Sequence, residues 1–282
     1  MTTLRYRIAH QTVLHYDRPA SSSHNEVRMT PVNEPGQLTL DSRLRARPIT
    51  WNATYTDYWG TTVMSLESLA PHEELAIEVL STVERSDADQ PSGHGLTWAE
   101  LTDDAVVDAQ LEFLTRRRRT RLDDAVLAEW TAELECLSPA ETVEAVSRRV
   151  HEQVRYMPGV TTVNSDARHT VETRQGVCQD LTHLTITLLR HLGVPARYVS
   201  GYVCPTRDLP VGGTAVGESH AWLEWWDGAW LPVDPTNMSP VGLEHVVVAR
   251  GRDYDDVPPM RGVYQGVATS TLAVQVEFTR LG

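Results

Sequence analysis

Apolar and polar side chains alternate along residues 1 to about 85, in "TVLHYDRP", "QLTLDSRLRARP", "YTDYWGTTVMSLES" and "ELAIEVLSTVER", with turn residues between the runs. A period of two puts every second side chain on one face, so the pattern predicts short strands of an antiparallel β-domain over residues 1–90. Asp, Pro, Ser and Gly then gather in "SDADQPSGHGLT", residues 86–97, which reads as a linker with a domain boundary near residue 90.

From Trp98 to about Val154 the spacing of apolar residues becomes helical, opening a second region over 98–282. "LSPAETVEAVSRRVHEQV" carries a helix start: Ser138 as N-cap, Pro139 at the first helical position and Glu141 three residues after the serine. Val143, Val146 and Val150 supply its buried stripe. A long polar segment, "YMPGVTTVNSDARHTVETRQG", leads to Cys178. Beyond it, Leu181, Leu184, Leu188, Leu189 and Leu192 keep helical spacing, and Gly193 with Pro195 ends the helix. "ARYVSGYV" and "HAWLEWW" read as strands, Asp227-Gly228 in "WWDGAWLPVDP" as a hairpin turn, and "TLAVQVEFTRL" as a last strand.

With 282 residues, 41% of them hydrophobic, the chain can bury a sizeable core. No apolar run approaches the roughly 20 residues that span a bilayer, and "MTTLRYRIAHQTVLHY" has no signal-peptide pattern, so the expectation is a cytoplasmic protein without a membrane partner. The 25 basic and 38 acidic residues leave a net charge of −13, which argues against nucleic acid as a partner. The basic run "RRRRTR", residues 116–121, lies between aspartate pairs in helix-like sequence and is expected to be a solvated helix face rather than a polyanion site.

Three cysteines without a C-x-x-C pair, Cys136, Cys178 and Cys204, argue against a disulfide framework, a zinc ribbon and a dithiol. Cys178 stands out because it opens a helix, where unpaired N–H groups and the positive end of the helix dipole stabilise a thiolate. A nucleophilic thiol also needs an imidazole and a group that orients it. His220 opens the strand "HAWLEWW" and Asp234 ends "WLPVDP", so pairing about Asp227-Gly228 brings the two together. Each residue alone has a plain alternative: a packed thiol, a structural hydrogen-bonder and a turn former. Both readings stay open on spacing alone.

"GVCQDLTHL", "GVPARYVSGY", "SHAWLEWW" and "WLPVDPTN" resemble the core of the transglutaminase-like superfamily, whose cysteine, histidine and aspartate fall on Cys178, His220 and Asp234. "HQTVLHYDRPASSSHNEVRMTPVNEPGQ" and "PHEELAIEVLSTVE" resemble the N-terminal β-region of bacterial transglutaminase-like proteins, and "GRDYDDVPPMRGVYQG" their C-terminal segment. The resemblance implies an α+β fold: a papain-like core, with the cysteine helix packed on an antiparallel sheet, preceded by the β-domain. Calcium, used by the longer animal cross-linking enzymes, is not expected, because no D-x-D-x-D-G loop is present and Asp253, Asp255 and Asp256 read as a solvated loop. Nor do His169, His183 and His245 form an HxxxH or HxH pair, so neither zinc nor another cofactor is expected.

The implied chemistry is acyl transfer on a peptide or protein amide through a Cys178 thioester, with the Cys178 backbone N–H and Tyr156 as candidate oxyanion donors. Protease-like or amidase-like hydrolysis is favoured. Cross-linking of glutamine to an amine is the alternative, followed by arylamine N-acetyltransferase-like transfer, which "RQGVC" resembles, and by a non-catalytic binding module. Trp222, Trp225, Trp226 and Trp230 could line an acceptor channel, although core packing is the simpler reading.

Overall fold

The computed structural model describes residues 2–88, 90–134, 136–159 and 165–282. Residues 160–164 of the polar segment before Cys178 lie outside the described residues. Six strands come first: β1 (Thr3–Ala20), β2 (Ser22–Val27), β3 (Gln37–Arg47), β4 (Trp51–Thr56), β5 (Thr62–Ser68) and β6 (His72–Ser86). Five helices follow: α1 (Trp98–Leu101), α2 (Asp104–Ala109), α3 (Leu111–Leu114), α4 (Asp124–Thr131) and α5 (Pro139–Gln153). The chain then runs through β7 (Arg155–Tyr156), α6 (Ala167–Thr173), β8 (Gln175–Gly176), α7 (Cys178–His191), β9 (Ala196–Val203) and β10 (Thr214–Trp226). It ends with β11 (Trp230–Val233), β12 (His245–Gly251), β13 (Met260–Gln265) and β14 (Ser270–Arg280).

The fold is α+β and mostly antiparallel, as the sequence implies. One large sheet has the order β12-β9-β10-β14-β1-β6-β3, with β11 added on β10, and a smaller one has the order β13-β2-β5-β4. The change in pattern near residue 90 falls between β6 and α1, yet strands from both sides share the large sheet, because β14 lies between β1 and β10. Ile8 faces Phe278 across the β1–β14 ladder, and Tyr6 meets the Phe278 ring edge-on at 5.4 Å. Leu4, Tyr6, Ile8 and Val83 thereby join the core that surrounds α7. A second apolar cluster, with Tyr16, Val27, Met29, Leu66, Leu75 and Ile77, fills the space between the two sheets.

Helix α7 is buried on every side rather than along one stripe. Leu181, Leu184, Leu188 and Leu189 are at most 1% exposed, and burying four such side chains contributes roughly 6–12 kcal/mol gross. The residues between them are buried as well, including Thr182, Thr185 and Thr187. Their hydroxyls escape the cost of burial by hydrogen bonding: Thr185 to Leu181 O at 2.8 Å, Thr187 to His183 O at 2.7 Å and Thr182 to Ala221 O at 3.2 Å. The last of these ties the helix to β10, one residue beyond His220. Gly193, at φ +84°, then reverses the chain in the left-handed region, and Val194 N–H closes onto Leu189 O at 2.9 Å.

Two expectations about charge fail together. The basic run is not a solvated helix face: Arg118–Thr120 forms a 3-10 turn, and Arg119 is buried. Nor is the acidic cluster a solvated loop, since Asp253 is buried and Tyr254–Asp256 forms a second 3-10 turn. The two runs clasp each other, with Arg119 Nε 2.6 Å from Asp255 Oδ1 and Arg117 Nη1 3.2 Å from Asp256 Oδ1. Like charges adjacent in sequence repel, and a partner more than 130 residues away relieves that repulsion. Arg190, at the far end of α7, is pulled down to about 9 by burial and donates to the carbonyls of Thr115, Ala196 and Arg252, which joins the clasp to the helix.

Candidate active site

Three local structures converge here. The first is the start of α7. Asp180, at the third helical position, reaches back to accept the Val177 N–H at 2.8 Å. Gly176 makes room for this, because a Cβ at 176 would sit 2.7 Å from Asp180 Cβ. Cys178 is thus the first residue of a helix whose opening turn is pinned from both sides, and its side chain is half-buried. Its N–H is one of the first-turn donors that no intrahelical carbonyl can accept.

The second is β10, which carries His220. Opposite it on β9 stands Gly201, where a Cβ would meet Val246 O at 2.2 Å and the Trp222 ring at 2.6 Å. Without that Cβ, the Trp222 ring packs closely enough to lie stacked along His220, centroids 6.0 Å apart and planes at 26°. The third is the turn after β11. The hairpin closes through three residues, Asp227, Gly228 and Ala229, with Trp226 facing Trp230, one residue off a two-residue turn. Asp234 consequently lies just past the end of β11, in a turn where the Thr236 and Asn237 N–H groups cap its Oδ1 at 2.9 and 3.1 Å.

The structure brings the three predicted residues together. His220 Nε2 lies 2.8 Å from Asp234 Oδ2, and both residues are buried. Cys178 is near enough to the same imidazole to act on its charge. Burial alone would disfavour the imidazolium, but hydrogen bonds and charge from Asp234 and Cys178 outweigh it and push His220 up to about 10. Asp234 follows the same logic with opposite sign. Burial disfavours its charge, yet donors from His220, His245 and Asn237 hold the carboxyl far below the usual range.

Tyr156 sits on β7, paired in parallel with β8 immediately before Cys178. Burial, with the charges of Cys178 and Glu218, pushes its phenol up to about 12, so it remains a hydrogen-bond donor at neutral pH. Tyr156, His220, Asn237 and His245 share a cleft of about 540 Å³ with Arg207, Glu218 and Glu244. No tryptophan is among the residues lining it. Trp222 and Trp225 are buried, the former packed with Val199 and Val247, while Arg197 covers Trp230 at 4.2 Å.

Two members of the site escape a reading of the sequence. Asn237 Nδ2 donates to Asp234 Oδ2 at 2.8 Å, and its only mark is a place three residues after the aspartate. His245 Nε2 lies 3.4 Å from the same oxygen, and its lack of metal-ligand spacing gives no hint of that. His220, Asp234 and His245 do offer ligand atoms within 4.8 Å of one another, residue types that bind transition metals. The fit is poor, because two ligands of a tetrahedral zinc stand about 3.3 Å apart and the His220–Asp234 separation of 2.8 Å is that of a hydrogen bond.

The Transglutaminase-like superfamily core matches residues 128–235, and the Bacterial transglutaminase-like N-terminal region matches residues 6–84. An uncharacterized protein of Mycobacterium leprae is 40% identical over 98% of this chain and 99% of its own length. The crystal structure of a candidate cysteine protease from Cytophaga hutchinsonii superposes with a TM-score of 0.78, at 22% identity, over 100% of this chain and 92% of that one. A protein-glutamine gamma-glutamyltransferase of Pseudomonas aeruginosa is 24% identical over 91% of this chain, which spans 37% of that protein.

Proposed function

This chain belongs to the transglutaminase-like superfamily, and we propose that it is a cysteine-dependent enzyme that transfers the acyl group of a peptide or protein amide through a thioester on Cys178, most readily to water. The observation that carries the reading is the buried His220–Asp234 pair set against a cysteine that opens a helix. In such sites the thiolate is the nucleophile, and an imidazolium beside it completes an ion pair.

The Cys178 sulfur attacks the amide carbonyl, forming the C–S bond and placing negative charge on the carbonyl oxygen. The Cys178 N–H and the Tyr156 hydroxyl are the donors proposed to receive that charge. Nε2 of His220 stays bonded to Asp234, which leaves Nδ1 to protonate the departing nitrogen as the C–N bond breaks. In the second half, the same nitrogen takes a proton from water, the hydroxide oxygen bonds the acyl carbon, and sulfur leaves. Water is favoured as acceptor because it competes at very high concentration, and transfer to an amine requires that it be excluded. Likeness to a gamma-glutamyltransferase supports amine transfer as the second reading.

Mass spectrometry of glutamine-containing peptides, incubated with the protein with and without a primary amine, separates these outcomes. Cleavage or deamidation without amine incorporation is expected, and Cys178→Ala should abolish it. Amine incorporation would favour the second reading. Identical results for the wild type and Cys178→Ala, with iodoacetamide labelling Cys178 no faster than Cys136, would leave a binding module and overturn the proposal.

A further inference from the structure

Asp234 is the acceptor for two imidazoles, not one. His245 opens β12, an edge strand of the large sheet, and is buried against the Trp222 ring, which it meets edge-on at 5.3 Å. Its Nδ1 lies 3.2 Å from the Gly242 N–H. A backbone amide can only donate, so Nδ1 is the acceptor and the ring proton sits on Nε2. That nitrogen points at Asp234 Oδ2, 3.4 Å away. The His245 main chain closes the same small loop, with its N–H on Gly242 O at 3.1 Å, so the ring is fixed at both ends.

We propose that His245 is a positioning residue: donating from Nε2, it holds Asp234 Oδ2 on line with His220. This rests on the acyl-transfer reading, in which His220 must present one defined nitrogen to the sulfur. Counting donors shows why an anchor matters. Oδ2 accepts from His220, Asn237 and His245, and Oδ1 from two backbone N–H groups, which saturates a carboxylate offering about four lone-pair sites. Four of the five donors come from Asp234's own turn or from His220 itself. His245 is the fifth, from a separate strand, and so ties the carboxylate to the sheet that carries His220. Its contact is the longest on Oδ2, which limits the expected effect to the lower end of what an orienting partner supplies.

Two measurements test this. In protein labelled with ¹⁵N-histidine, and assigned through His245→Gln, the His245 nitrogens should show protonated Nε2 and bare Nδ1; the reverse tautomer overturns the proposal whether or not any substrate is known. His245→Phe, which keeps ring volume without the donor, should slow iodoacetamide alkylation of Cys178 about tenfold, and His245→Gln should recover to within about threefold of wild type. A folded His245→Phe that alkylates at the wild-type rate also overturns it. Should that variant not fold, the tautomer of the wild-type protein decides. Failure of the acyl-transfer reading would look different: wild-type Cys178 no more reactive than Cys136, with the His245 tautomer as described.

Discussion

Adding one methyl group at Gly176 should damage both the stability and the reactivity of this protein. In Gly176→Ala the new Cβ would stand 2.7 Å from Asp180 Cβ and 3.1 Å from its Oδ2. Carbon atoms normally approach to about 3.5–4.0 Å, and both Cβ atoms are fixed to backbone, so neither can rotate away. Overpacking of this kind costs about 1–3 kcal/mol. If Asp180 yields, its carboxylate also gives up the Val177 N–H, a hydrogen bond to a charged group worth about 1.5–3 kcal/mol. The reduced freedom of the unfolded chain returns about 0.4–1 kcal/mol, leaving a net loss of about 2–5 kcal/mol. Urea unfolding should show a lower midpoint with an unchanged slope, and iodoacetamide should label Cys178 more slowly because the first turn that presents the sulfur is displaced. A stability within about 0.5 kcal/mol of wild type, with unaltered labelling, would refute the idea that close approach of Gly176 and Asp180 sets the helix start.

His220 rises from 6.5 to about 10 in the fold, so the stability it contributes is complete below pH 6.5 and lost as pH climbs through about 10. Urea titrations over that window should show a falling stability in the wild type and a flatter profile in Asp234→Asn; parallel profiles would contradict the assignment. Arg119→Ala should cost about 2–4 kcal/mol, a figure reduced from the fully buried case because Asp255 is partly exposed, and its coupling to Asp255→Asn in a double-mutant cycle should exceed about 1 kcal/mol. Additive effects would mean that the clasp between the two charged runs contributes nothing beyond its separate members.

What could be read from the sequence follows the range of the interactions involved. The capping box of α5, the Gly193 reversal and the Cys178 helix are written in residues three to five apart, and local rules recover them. His220 and Asp234 are 14 residues apart and joined by a turn with its own signature, so their meeting was also legible, although the turn has three residues rather than two. His245 reaches Asp234 only because β12 pairs with β9, and Arg119 meets Asp255 across 136 residues. Such pairings carry no periodicity. A buried polar residue recruited from a distant strand looks, in one dimension, like any solvated one.

The place of β14 in the large sheet has a consequence for how the molecule comes into being. Strand β1 takes β6 on one side and β14 on the other, and Tyr6 must wait for Arg280 to complete its ladder. Closing so large a loop costs entropy before any contact rewards it, and such non-local pairings make folding slow. On a translating ribosome, at about 5–20 residues per second, one edge of β1 stays open for about 14–55 s after it emerges. Through that interval the nascent chain presents unpaired N–H and C=O groups to its neighbours, and a chaperone or a slow codon would have its greatest effect there.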